Sequence, residues 1–104
     1  MENKLMTIKK LKDLLNRYDS NSLLYIFSNN IRDVAYLEEE NEKIFVIYYS
    51  RFNKETIQSK KILKYITENN VDDDVEVVGF NYLAHIFVSF DKANLIIEGN
   101  INLC

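Results

Sequence analysis

The stretch Ile44-Phe45-Val46-Ile47-Tyr48-Tyr49 is apolar at every position, and Leu23-Leu24-Tyr25-Ile26-Phe27 and Ala84-His85-Ile86-Phe87-Val88 come close to matching it. Runs this short, rich in β-branched and aromatic residues, read as strands. A strand with one face in water alternates apolar with polar residues, so these three call for cover on both faces. That requirement decides what the rest of the chain must supply.

Two segments can supply it. Thr7 precedes Ile8-Lys9-Lys10-Leu11-Lys12-Asp13-Leu14-Leu15-Asn16-Arg17-Tyr18, where Ile8, Leu11, Leu15 and Tyr18 recur at helical spacing and Thr7 serves as N-cap. The stretch from Lys54 to Asn69 places Ile62, Tyr65 and Ile66 on one face, extended back by Gln58, and ends at Asn69-Asn70. Strands are expected at Leu23–Ser28, Ile31–Glu38 and Lys43–Ser50 before the second helix. After it they are expected at Val75–Phe80, Leu83–Phe90 and Leu95–Glu98. The reading is an α+β fold of order αβββ-αβββ, an antiparallel sheet with two helices packed on one face, as a single domain over residues 1–104. Residues 7–50 and 56–99 can be laid over each other with Thr7-Ile8 on Thr56-Ile57, the pattern an internal duplication would leave. Two helices blanket only one face of six strands. The other must curl on itself or meet a partner, and a homodimer through that face is the expectation.

Composition narrows the function classes. The 104 residues are 47% hydrophobic and 28% charged, which suits one ordinary core. Cys104 is the only cysteine, so neither an internal disulfide, a CxxC redox pair nor a cysteine zinc site can be built, and a reducing, cytoplasmic setting is expected. No apolar run approaches the roughly 20 residues of a membrane helix. The net charge of −3, two glycines and no proline count against phosphate-cradling loops and direct nucleic-acid binding. Lysines cluster on the helices, at Lys4, Lys9, Lys10 and Lys12 and at Lys60, Lys61 and Lys64, as solvated outer faces usually do.

Chemistry-bearing constellations are sparse. His85 is the sole histidine and lies in an apolar run, so a histidine-pair metal site is excluded and no catalytic set is evident. No cofactor or metal is expected. Asp72-Asp73-Asp74 lacks the ligand alternation and central glycine of a calcium loop. With Glu38, Glu39, Glu40 and Glu42 at a hairpin tip, it is instead the candidate partner-binding surface, because exposed charge of one sign steers partners. Tyr48, Tyr49, Phe52 and Tyr82 cannot all point inward and are the candidate interface aromatics.

The segment from Thr7 to Leu15, followed by a polar break and the strand from Leu23, resembles a pattern common in small phage and prophage proteins. Heavy use of Asn, Ile and Lys agrees with AT-rich coding. The resemblance implies a non-enzymatic inhibitor or regulator bound to a host protein, in the manner of phage inhibitors of bacterial defence such as anti-CRISPR proteins. An immunity protein or antitoxin neutralising a toxin is the alternative with the same acidic, catalytically empty character. A small enzyme using Tyr, Glu and Lys is the alternative from another class.

Overall fold

A computed structural model of the chain describes residues 6–17, 23–26, 29–50, 52, 54–89 and 97–99. The elements run α1 (Ile8–Leu15), β1 (Leu24–Ile26), β2 (Asn29–Glu39), β3 (Glu42–Ser50), α2 (Ser59–Glu68), β4 (Glu76–Asn81), β5 (Ile86–Ser89) and β6 (Ile97–Gly99). Together the strands make one sheet in the order β5-β4-β3-β2-β1-β6.

The sheet is mixed, which corrects the antiparallel expectation. Strands β3 and β4 are parallel, with Phe45 beside Val77 and Tyr48 beside Phe80, while the other neighbours are antiparallel. Parallel neighbours need a crossover, and α2 provides it. The second half is also not a second meander. After the β4–β5 hairpin the chain crosses to the far edge, where β6 pairs with β1.

Helix α1 forms as its spacing requires. Thr7 is extended and its hydroxyl accepts from Lys10 N–H at 3.4 Å, while Ile8, Leu11 and Leu15 are fully buried. The first two orphan donors of the turn, Ile8 and Lys9 N–H, bond to the carbonyls of Val75 and Asp73 at 2.9 and 3.0 Å. Helix α2 begins at Ser59, five residues later than expected, because the preceding residues are held elsewhere. Leu24 N–H donates to Ile57 C=O, Leu23 bridges Gln58, and the Thr56 hydroxyl accepts from Ile31 N–H at 2.7 Å while donating to Leu24 C=O. Thr56 thus fills the gap where β1 and β2 splay apart. At the other end Asn70, at φ 51°, closes α2 with paired bonds from Asn70 N–H to Thr67 C=O and from Val71 N–H to Ile66 C=O. Asn tolerates that left-handed conformation, and the two bonds satisfy the last carbonyls.

One reciprocal feature links the halves. Residues just before α1 pair with β4, through Thr7 opposite Glu76 and Val77 N–H on Met6 C=O, and residues just before α2 pair with β1. Each helix therefore starts from a clasp on the other half's first strand.

The main core lies between the helices and one sheet face. Phe45, Ile47 and Tyr49 of β3 share it with Val77, Leu24, Ile26, Ile31 and the helix residues Ile8, Leu11, Leu15, Ile62 and Ile66. The second face, expected to curl on itself or meet a partner, is closed at its centre. There Val46 is fully buried and Val78 nearly so. Among the described residues, the large apolar side chains left exposed are Leu37, Phe52 and, on the β4–β5 hairpin, Tyr82, Leu83, Ile86 and Phe87.

Candidate functional site

The parallel β3–β4 pair has a consequence for charge. Because both strands run the same way, their first residues lie at the same end of the sheet, so the β2–β3 tip and the loop entering β4 are neighbours. Lys43 sits between them, 3.9 Å from the Glu38 carboxylate and 4.0 Å from that of Asp72. Lys12 reaches Asp73 at 2.7 Å. Its hydrogen bond, helped by its charge and that of Lys9, holds the Asp73 carboxyl below the usual aspartate range. The two acidic segments, some thirty residues apart in sequence, thus form one surface. Among the described residues, Glu39, Glu40, Glu42 and Asp74 make no ion pair.

The hairpin tip itself carries two local costs. Glu39 lies directly opposite Glu42, and like charges in that position repel. Glu40, in the two-residue turn, has φ 55°, a conformation that costs a residue with a Cβ about 1–2 kcal/mol.

The opposite end of the sheet carries aromatic rings. Tyr48, Phe80 and Phe87 form a row across three strands, with ring centroids 5.6 Å apart for Tyr48–Phe80 and 4.9 Å for Phe80–Phe87. Tyr82 adds edge contacts to Tyr48 and Phe80, and the Arg32 guanidinium lies 4.4 Å over the Tyr82 ring, within cation–π reach. Arg32 can bend there because the β2–β3 register slips between Ile31 and Asp33, leaving it as the bulged residue. His85, expected within a strand, ends the turn at φ 58°. Its N–H bonds to Asn81 C=O at 2.7 Å, the Asn81 side chain accepts from Leu83 and Ala84 N–H, and its ring packs on Phe80 and Tyr82.

Of the four aromatics expected at an interface, only Tyr48 and Tyr82 belong to this cluster. Tyr49 points to the helix side and is 4% exposed, and burial raises its phenol pKa. Phe52 is exposed beyond the end of β3. Phe87 and Arg32 carry no sequence signal of a site, and His85 reads there only as a lone histidine in an apolar run. The Phe80–Phe87 hairpin register would have found Phe87.

Among the described residues no group of three or more His, Cys, Asp or Glu is placed to hold a metal ion, and no helix is long and apolar enough to cross a membrane. No protein-family model, curated protein or solved structure matches the chain.

Proposed function

We propose that this chain is a non-enzymatic protein-binding inhibitor or regulator, of the kind phages and mobile elements direct against host proteins, and that its acidic end docks on a basic surface of the partner. The observation that supports this is the convergence of Glu38, Glu39, Glu40 and Glu42 with Asp72, Asp73 and Asp74 at one end of the sheet. Repelling glutamates face each other there, on a turn that strains a glutamate. A feature retained at a cost to folding answers to something other than folding. Clustered exposed carboxylates raise the rate of encounter with a basic partner and favour it over acidic ones.

The test compares the native chain with Glu39→Lys and Glu42→Lys in affinity capture followed by mass spectrometry, at low and high salt. Each substitution turns a repelling cross-strand pair into an attracting one, so the melting temperature should hold or rise slightly. A partner retained by the native chain at low salt should be lost from both variants and at high salt. A partner held equally by the variants, or recovery of this chain alone, would overturn the reading.

A further inference from the structure

The β5 edge has the makings of a self-association site, and this inference stands independently of the acidic-end reading. The sheet ends in β5 and β6, and β2 is open beyond the three-residue β1; among the described residues, β2 and β5 are treated differently. Along the part of β2 that the three-residue β1 leaves uncovered, donors are taken up by side chains: Ile31 N–H by Thr56, Val34 N–H by the Asp33 carboxylate at 2.8 Å, and Tyr36 N–H by the Tyr65 hydroxyl at 3.0 Å. Edge strands are ordinarily protected in some such way, or by charge, proline or brevity. The run Ile86-Phe87-Val88-Ser89 has no charge and no proline, and its one paired neighbour among the described residues is β4.

The direction of its free groups follows from the ladder. Tyr82 N–H bonds to Tyr49 C=O of β3 at 3.0 Å, so alternation turns the backbone groups of Asn81 and Gly79 toward β5. Their partners Ile86 and Val88 then face β4, and the N–H and C=O of Phe87 face outward, where they meet no described residue.

We infer that β5 pairs antiparallel with β5 of a second copy about a two-fold axis at Phe87. In this register Phe87 exchanges both backbone bonds with Phe87 of the second copy, and Ile86 opposes its Val88. Every side chain then meets one on its own face. The row Tyr48–Phe80–Phe87 continues into its symmetry mate on one face, and Ile86 and Val88 meet their counterparts on the other. A shift by one residue would set Phe87 against Val88 across opposite faces and leave the bonds unmatched. The two-fold also directs the acidic ends of the copies in opposite directions. Tyr82, Leu83, Ile86 and Phe87 are 41, 50, 53 and 59% exposed, which together offers roughly 400 Å² of accessible surface, backbone and hydroxyl included. That is about half the 800 Å² per partner of an ordinary stable interface, so the dimer is a weak one that forms with concentration.

Light scattering after size exclusion, from low micromolar to several hundred micromolar, should show the mass rising from 12.3 kDa toward twice that value. Phe87→Lys should hold it at the monomer value throughout, with an unchanged circular dichroism spectrum showing that it folds. A second measurement fixes the register. Paired residues of this kind have Cα atoms about 5.5 Å apart, within the range a disulfide spans. In a Cys104→Ser background, Phe87→Cys should therefore cross-link under mild oxidation. Ile86→Cys alone should not, but an equal mixture of Ile86→Cys and Val88→Cys should. A constant 12.3 kDa mass with no Phe87→Cys cross-link would overturn the inference, as would a dimer that Phe87→Lys leaves intact.

Discussion

The two ends of the sheet each contain a residue other than glycine in the left-handed region, and their surroundings differ. At the aromatic end His85 is held by its own N–H on Asn81, by the Asn81 side chain on the next turn donors, and by ring contacts to Phe80 and Tyr82. At the acidic end Glu40 stands in a two-residue turn beside a facing Glu39–Glu42 pair. The same backbone conformation is supported at one end and aggravated at the other. Local strain is thus a property of the neighbourhood, and the acidic tip is where the chain gives up stability.

The largest test of that contrast lies at Thr56, whose hydroxyl joins β1 to β2 near the aromatic end of the sheet. Thr56→Val should strand Leu24 C=O and Ile31 N–H and cost about 2 kcal/mol, a fall of roughly 10 °C in melting temperature. Thr56→Ser should recover most of it. If Thr56→Val melts like the native chain, that end is not held as described.

Next come the turns themselves. Glu40→Gly should gain about 1 kcal/mol, because glycine removes the Cβ penalty and one charge leaves the cluster. His85→Gly should gain less than about 0.5 kcal/mol, since it gives up the ring contacts, and histidine tolerates this region better than glutamate. Chemical denaturation of both variants checks the ranking. An equal gain at the two turns would break the comparison.

The smallest effect concerns Asp73. Its carboxyl in the folded chain titrates below the ordinary range, so the unfolded state takes up a proton first as pH falls. The resulting stabilisation is complete above the unfolded value and is lost as pH drops through the folded one. Carboxyl NMR titration should show the Asp73 pKa rising in Lys12→Met, with the other end of the sheet unmoved.

The apolar spacing of Ile8, Leu11 and Leu15 and the cap at Thr7 made α1 legible from sequence, because both signals are local. The start of α2 was not legible. Lys54 to Gln58 has helical composition, but Thr56, Ile57 and Gln58 are claimed by β1, a partner thirty residues away. The parallel pair also leaves a signal in the sequence. The unbroken apolar run of β3 pointed to cover on both faces, and it is also the pattern of a strand with a parallel neighbour. The acidic residues were legible as two patches, whereas their union depends on that pairing. The strand expected from Leu83 starts at Ile86 because Asn81 and His85 build a longer turn, which hid the Phe80–Phe87 pairing.

The crossed clasps bear on how the chain can assemble. Met6 and Thr7 await β4, some seventy residues downstream, while β1 awaits Ile57 and Gln58. A nascent chain that has emerged only as far as Ser50 holds three strands and a helix but lacks the lining of either clasp. Native pairing at the start of α1 must therefore wait for β4 to be made, and the late closure of so long a loop belongs to the slower, non-local class of folding events.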